Sequence, residues 1–231
     1  MSYSNMEEAT TLSTPEVSIV IPGYNEAEIL HESLVSILKE FKALDEQIEI
    51  VVCENGSTDN SLRIAEQLQQ AHSQIRAQHL PTSNYGLALK HGISACRGNA
   101  VIIFNIDFWS PEFARIALAK LGDYDMVIGS KTMEGAKDQR PILRRLITLG
   151  FNFFLRRFFG LRGTDTHGMK AFKRRSLNRI LDKCVTDKCL FDSEFVLRAE
   201  RAGLLITEVP VHVRELRQPS YWSLLERIPE T

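Results

Sequence analysis

Two unbroken apolar runs that stop on polar clusters constrain the fold of this chain more than any other feature. The first is V-S-I-V-I-P-G-Y-N-E, Val17–Glu26; the second is I-V-V-C-E-N-G-S-T-D, Ile50–Asp59. A run without polar alternation is a strand buried on both faces, as in parallel sheets covered by helices. Open α/β sheets bind ligands just outside the carboxyl ends of such strands. Here a carboxylate, an amide and a glycine (Glu54, Asn55, Gly56) end the second run. The hydroxyls of Ser57 and Thr58 follow, and Asp59 is placed to cap the next helix. Two strand ends of this kind, one helix apart, predict a nucleotide pocket built from neighbouring strand termini.

The rest of the first half repeats the alternation. Strands are expected at Val17–Ile21, Ile48–Cys53, Ile75–Leu80, Ala100–Phe104 and Met126–Gly129. Helices are expected at Glu26–Phe41, Asn60–Gln70, Gly86–Cys96 and Pro111–Leu121, the last with Ser110 as N-cap. The predicted fold class is α/β: a mostly parallel central sheet with helices on both faces. The second half changes style. Pro141–Phe159 reads as a basic amphipathic helix, followed by a glycine-punctuated loop and a short strand near Met169–Phe172. Helices near Arg174–Lys183 and Ser193–Ala202 and a final strand over Leu204–Val213 complete the chain. Residues 1–15 read as a disordered leader and 16–231 as one catalytic domain, with a nucleotide-binding half (16–130) and an acceptor half (131–231).

Charge is unevenly spread. Between Lys137 and Arg175 eleven Lys/Arg stand against Asp138 and Asp165, although the whole chain has a net charge of only -1. A basic block in a neutral chain implies a localised anionic partner and argues against general nucleic-acid binding. Cys53, Cys96, Cys184 and Cys189 show neither a disulfide framework nor zinc-knuckle spacing, so they read as structural thiols in a reducing compartment. No apolar run reaches the roughly twenty residues that span a bilayer. The expected location is cytoplasmic, with peripheral attachment to a membrane face.

Taken together the motifs resemble the family-two glycosyltransferases of the A-type nucleotide-sugar fold, and among them the polyprenyl-phosphate (dolichol-phosphate) sugar synthases. The resemblance runs from Val17 to about Pro229. Besides the two opening segments, it is carried by N-Y-G-L-A-L-K-H-G (Asn84–Gly92), N-I-D (Asn105–Asp107), G-S-K (Gly129–Lys131), D-T-H-G-M-K-A-F (Asp165–Phe172) and F-D-S-E-F (Phe191–Phe195). It implies that Pro22, Tyr24, Glu26, Glu54, Asn55 and Ser57 bind a UDP- or GDP-hexose. Glu54 and Asn55 stand where the family usually has paired aspartates. Asn84, Gly86 and Lys90 open a helix whose amino terminus suits a phosphate or sugar oxygen, or else form a plain capped surface helix. N-I-D falls at the family's metal position, normally Asp-x-Asp. Asp107, with Asn105 as a poorer ligand, is then expected to hold Mg2+ or Mn2+ through one carboxylate and diphosphate oxygens.

The same resemblance implies that Lys131, Arg144 and Thr148 contact the acceptor phosphate, since fixed cationic donors recognise phosphate. Phe151, Phe153, Phe154, Phe158 and Phe159, with Arg156 and Arg157 between them, read as an interfacial face touching anionic lipid, while half of these rings are expected to pack against the domain. The reaction implied is transfer of a hexose to a lipid-linked phosphate with inversion. A phosphate monoester is largely dianionic near neutrality and requires positioning rather than a base. A hydroxyl acceptor on a sugar, small molecule or protein would instead require a carboxylate base, for which Asp192 and Glu194 are the candidates, unless Asp192 only caps a helix. Lys170 is expected beside the leaving diphosphate. A non-catalytic nucleotide-sugar-binding module is the remaining alternative.

Overall fold

The computed structural model describes residues 15–42, 47–188 and 190–213. The expected leader before Pro15, Cys189 and the part of the resemblance beyond Val213 lie outside them. A seven-stranded sheet forms the centre, in the order β3-β2-β1-β4-β7-β5-β8. Its strands are β1 (Val17–Gly23), β2 (Ile48–Asn55), β3 (Ile75–Leu80), β4 (Ala100–Ile103), β5 (Met126–Ser130), β7 (Lys170–Lys173) and β8 (Ile206–Pro210). All neighbours pair in parallel except β7, which runs antiparallel to both β4 and β5. The predicted mostly parallel α/β sheet is what forms. A small parallel pair, β6 (Lys137–Asp138) with β9 (His212–Val213), lies apart from it. The expected strand Leu204–Val213 is therefore divided between β8 and β9.

Successive strand residues feed opposite cores, as the two-residue period of a pleated strand requires. Ile19, Ile21, Ile50, Val52 and Ile102 pack on one face with α1 (Leu30–Lys42), α2 (Ser61–Ala71) and α4 (Pro111–Lys120). Val20, Val51, Cys53, Val101 and Ile103 pack on the other with α3 (Tyr85–Ala95), α6 (Arg174–Leu181) and α7 (Phe191–Arg201). Cys53, Cys96 and Cys184 are buried free thiols, as expected. Burial pushes Cys96 up to about 12 and Cys184 up to about 11, so neither is a nucleophile near neutrality.

Three departures from expectation shape the site. Pro22 and Gly23 do not stop β1; they stay paired with Cys53 and Glu54 of β2. Pairing of β1 with β4 instead ends at Val20, where the Phe104 N–H donates to the Val20 carbonyl at 3.0 Å and the chain turns away. The sheet thus opens between the ends of β1 and β4, where strand order reverses and such sheets take ligands. The helix expected from Glu26 begins only at Leu30, because Asn25 adopts a left-handed φ of 54° and residues 25–29 form a separate turn.

The basic helix is the third departure. α5 (Ile142–Phe154) runs into a π-helical turn at Leu155–Phe159 and ends at Gly160, whose left-handed φ of 75° suits a residue without Cβ. Its buried contacts come from Asn152 and Leu155, with Phe151 partly covered. Ile142 (72% exposed), Phe153 (65%) and Phe158 (67%) stand in solvent, as do Leu143, Leu146, Ile147, Leu149, Phe154 and Phe159. Fewer of the phenylalanines pack against the domain than the half expected. The helix is inverted: a polar amide faces inward and the apolar stripe faces out. Among the described residues no helix is long and apolar enough to cross a membrane.

Candidate active site

The loops after β1 and β2 are laced together by short polar side chains. The Asn25 N–H donates to Ser57 Oγ (3.0 Å), the Thr58 N–H to Asn25 Oδ1 (2.8 Å), the Glu26 N–H to Ser61 Oγ (2.8 Å) and the Ala27 N–H to Asp59 Oδ2 (3.1 Å). Asp59 also accepts from the Ser61 N–H at the start of α2, but the N-cap position itself is Asn60, one residue later than expected. Tyr24 projects from this frame, 44% exposed. Pro22 is buried in β1, and Glu26 sits half-buried in the turn. Ser57 serves as the brace between the two loops.

Glu54 is buried at the end of β2, and both its oxygens are engaged. Oε1 accepts from the Ser57 N–H, and Oε2 meets Nδ1 of His79, the residue opposite it on β3. Burial alone would raise the Glu54 carboxyl; the Ser57 and His79 hydrogen bonds outweigh it and hold the group below the ordinary carboxylate range. Asn55 is buried beside it, and its Oδ1 has no hydrogen-bond partner among the described residues.

The amino end of α3 is closed by the chain itself. Leu87 N–H donates to Asn84 Oδ1 (3.0 Å) and to the Asp187 carbonyl (3.1 Å), and a Cβ on Gly86 would stand 2.4 Å from that carbonyl oxygen. Lys90 pairs with Asp187 at 2.7 Å. Asn84, Gly86 and Lys90 therefore dock the segment before α7, and the expected anion site at this helix terminus is taken by backbone and side chains of the chain. Gly86 is small because another strand of backbone needs the space.

Beyond β4, Asn105 and Phe108 exchange backbone hydrogen bonds (3.2 and 3.1 Å), closing a tight turn that buries Ile106 and leaves Asn105 exposed and Asp107 partly so. This turn borders the gap at the end of β1. Its two oxygen-bearing side chains fit a hard divalent cation that takes its other ligands from a diphosphate. Among the described residues no group of three His, Cys, Asp or Glu is clustered for a metal.

A small cleft next to this turn is lined by Tyr85, Phe104, Asn105, His167, Gly168 and Lys170. Lys170, expected near the diphosphate, is fully buried in its wall. Its Nζ donates to Asp192 Oδ1 (2.6 Å) and to the Gly168 carbonyl (3.0 Å), and Tyr85 donates its hydroxyl to Asp192 Oδ2 (2.9 Å). Burial would raise the Asp192 carboxyl, but Lys170 and then His167 hold it well below its usual range. Asp192 thus accepts on both oxygens. Glu194 is engaged elsewhere: it accepts from the Val185 and Thr186 N–H groups, the Thr186 hydroxyl and Arg198, which bring its carboxyl to about 2 against the pull of burial. The geometry gives both carboxylates holding roles: Asp192 is buried in its ion pair with Lys170, and Glu194 is bound on both oxygens by Val185, Thr186 and Arg198.

Lys131 lies buried against Asp165 (3.0 Å), which also accepts the Lys131 and His167 N–H groups. Asp165 stays below the carboxylate range because Lys131 outweighs its burial. Arg140 and Lys170 add positive charge near Lys131. Arg140 grips Asp138 through two nitrogens (2.9 and 2.7 Å) and reaches Thr148 Oγ1 at 3.4 Å; Thr148 donates to the Arg144 carbonyl one turn back. Lys131 and Lys170 lie near one another, each matched by a buried carboxylate, and half-buried Arg144 and Thr148 lie on the adjoining helix. Asn152 ties that helix down by donating to the Thr164 carbonyl (2.7 Å), and Phe151 packs edge-on against His167 at 5.6 Å. Tyr85, His79, Asn152 and Glu208, which accepts from Thr164 and Asp165, were not anticipated. His79 alone carried a signal, as a polar residue near a strand's carboxyl end.

The glycosyl transferase family 2 model matches residues 18–181. The chain is 30% identical over 211 residues to glycosyltransferase AglD of Haloferax volcanii, covering 88% of this chain and 34% of that protein, so it spans about a third of that relative. It is 27% identical over 215 residues to dolichyl-phosphate beta-glucosyltransferase ALG5A of Trichomonas vaginalis, covering 87% of this chain and 66% of the relative. Among solved structures it resembles glucosyl-3-phosphoglycerate synthase of Mycobacterium tuberculosis in complex with Mn2+, UDP and glucosyl-3-phosphoglycerate. The TM-score is 0.66 at 21% identity, over 91% of this chain and 75% of that one. The mannosyltransferase PcManGT of Pyrobaculum calidifontis, in complex with GDP-Man and Mn2+, gives 0.62 at 21% identity, over 93% and 61%. These likenesses fix the A-type glycosyltransferase fold.

Proposed function

The chain belongs to glycosyl transferase family 2, and from that premise we propose that it moves a hexose from a nucleotide-diphosphate sugar to a polyprenyl phosphate at a membrane surface, with inversion. The observation that carries this reading is the inverted α5. Its apolar stripe faces outward with Arg156 and Arg157 exposed beside it, and Asn152 on its inner side bonds to the Thr164 carbonyl next to the Lys131–Asp165 pair. A face of that kind suits an interface with anionic lipid, and it would bring a lipid-borne phosphate to cationic donors. The dolichyl-phosphate beta-glucosyltransferase relative points the same way.

In this reading Lys131, Arg144 and Thr148 orient the acceptor phosphate. One of its anionic oxygens attacks the anomeric carbon from the face opposite the diphosphate. The carbon–oxygen bond to the leaving group breaks and its electron pair stays on the nucleoside diphosphate. A dianionic monoester attacks without losing a proton, which accords with Asp192 and Glu194 being fully engaged. Pro22, Tyr24, Asn55 and the braced Glu26–Ser57 loops flank the nucleoside. Asp107, with Asn105, would hold a Mg2+ or Mn2+ ion, which when bound supplies charge stabilisation to the diphosphate. Lys170 adds fixed positive charge in the wall of the same cleft. A hydroxyl acceptor would require Asp192 or Glu194 to take a proton while holding its present partners.

The test is incubation with labelled UDP- and GDP-hexoses, a divalent cation and vesicles containing a polyprenyl phosphate. Label in the organic phase, released by mild acid, is expected. Label appearing only on water-soluble sugars or protein would overturn the acceptor assignment. Arg144→Ala should raise the apparent KM for the lipid phosphate far more than that for the donor; equal effects would assign Arg144 to the fold.

A further inference from the structure

We infer that His79 is a nucleoside-reading residue of the donor site, held in place by Glu54 and acting together with Asn55. The inference rests on the nucleotide-sugar chemistry of the family and not on the identity of the acceptor.

The strand ends set the location. Asp107 follows β4, and β3 lies three strands away across β1 and β2. At about 4.8 Å per strand the span is about 14 Å, the reach of a nucleoside diphosphate laid along the sheet edge. With the diphosphate at the β4 turn, the nucleoside lies over the ends of β1, β2 and β3. Tyr24, Asn55 and His79 stand there. Gly56, with φ of 72°, lets the loop after β3 close against it: a Cβ would stand 2.9 Å from the Ser83 nitrogen.

Glu54 does not face that nucleoside with an open carboxylate. Both its oxygens are engaged inside the protein, by the Ser57 N–H and by the His79 ring, and it is almost wholly buried. An ionised carboxylate only accepts hydrogen bonds, so Nδ1 of His79 carries the hydrogen between them. Nε2 is then the ring nitrogen that Glu54 leaves unused. The His79 side chain is 46% exposed beside an almost wholly buried Glu54. Asn55 Oδ1, buried and without a partner among the described residues, is an acceptor at the adjoining strand end. A buried carbonyl oxygen without a donor is costly, and a ligand N–H or O–H removes that cost. The shared ligand chemistry is a nucleoside with hydrogen-bonding edges: the ring N–H and carbonyls of uracil or guanine, together with ribose hydroxyls. Lengthening the side chain at position 54 to glutamate thus moves recognition one strand outward, from the carboxylate to the imidazole that it orients.

Two substitutions separate reading from bracing. His79→Asn keeps an amide where Nδ1 stands and loses the outer nitrogen; His79→Gln carries an amide out to the Nε2 position. Dissociation constants for UDP and GDP, each with Mn2+, are measured by calorimetry on the full chain and on both variants, with melting temperatures taken without ligand. His79→Asn is expected to weaken the tighter nucleotide roughly fivefold to tenfold, with His79→Gln within about twofold of wild type and all three melting alike. A loss confined to one nucleotide assigns Nε2 to the base, and an equal loss for both assigns it to the ribose; each supports the inference. Unchanged binding in His79→Asn overturns it, as does equal weakening in both variants accompanied by lower melting temperatures, which would make His79 a brace for Glu54. Wild-type protein that binds neither nucleotide would overturn it together with the donor assignment, whereas failure of lipid transfer alone would leave it standing.

Discussion

Lys170 and Asp192 form an ion pair at 2.6 Å in which neither side chain has appreciable contact with solvent, and Tyr85 completes it by donating to the second carboxylate oxygen. The pair joins β7 to α7 directly behind the cleft at the end of β4. Removing one partner leaves the other charge buried and uncompensated, which costs about 3–5 kcal/mol. Lys170→Met and Asp192→Leu should each lower unfolding stability by that order. The double variant should cost clearly less than the two together, because it leaves no orphaned charge. Urea denaturation of the four proteins measures this; additive losses would mean that the two groups do not stabilise one another.

Asp192→Asn tests the chemistry, with its melting temperature measured beside its rate because Lys170 loses its counter-charge. A general base contributes about a hundredfold to ten-thousandfold to the rate. With Asp192 already accepting from Lys170 and Tyr85, the asparagine variant should lose less than about tenfold in kcat. Its pH–rate profile should keep the wild-type shape. A loss of several hundredfold with disappearance of the acid limb would restore Asp192 as a proton acceptor.

The parallel sheet was legible because its strands are buried on both faces, and continuous apolar runs such as Val17–Ile21 and Ile50–Cys53 have few other uses. The turn carrying Asp107 was legible for the same reason: a polar triplet follows a buried strand. What escaped prediction depends on partners distant in sequence. Nothing near Lys170 announces Asp192, and nothing near Gly86 announces the Asp187 carbonyl against it. The inversion of α5 was half visible, since arginines between phenylalanines showed two faces. Which face the domain covers was decided by one buried amide, Asn152, whose partner is a backbone carbonyl that side-chain patterns do not reveal.

Glu194 makes a pH-dependent contribution to stability. Its carboxyl sits at about 2 in the folded chain, from an ordinary value of 4.5, because Thr186, Val185 and Arg198 outweigh burial. A depressed folded value gives stability that is fully present above pH 4.5 and lost as pH falls towards 2. Glu194→Gln should therefore be less stable than wild type by about 1–3 kcal/mol at neutral pH, and the gap should close across that acid window. Thermal melts of both proteins along a pH series measure it; a gap independent of pH would assign the loss to geometry instead of charge.

Asp107 offers the charged oxygen in the turn beyond β4, with Asn105 as its neutral companion. Transfer should stop in excess chelator and return on addition of Mn2+ or Mg2+. Asp107→Ala should lower kcat by on the order of a hundredfold or more, given the several kcal/mol that a bound cation supplies. Asn105→Asp, which adds a second carboxylate, should tighten the apparent affinity for the cation. Full activity in chelator would remove the cation from the reaction.

The exposed stripe of α5 makes a prediction that separates lipid contact from catalysis. Each large apolar side chain moved out of water contributes about 1.5–3 kcal/mol, so Phe153 and Phe158 together could account for several orders of magnitude in partitioning. Both stand in solvent and contribute little to the core, so Phe153→Ser/Phe158→Ser should melt within a few degrees of wild type. In co-sedimentation with vesicles rich in anionic lipid the variant should stay in the supernatant while wild type pellets. Raising salt should weaken wild-type binding, because Arg156 and Arg157 lie beside the stripe and surface charge attraction is screened. Transfer to a short-chain, water-soluble polyprenyl phosphate should survive the double substitution and transfer to the vesicle-borne acceptor should fall. Equal loss on both acceptors would mean that the stripe shapes the active site itself, and undiminished pelleting would remove the membrane from the account of α5.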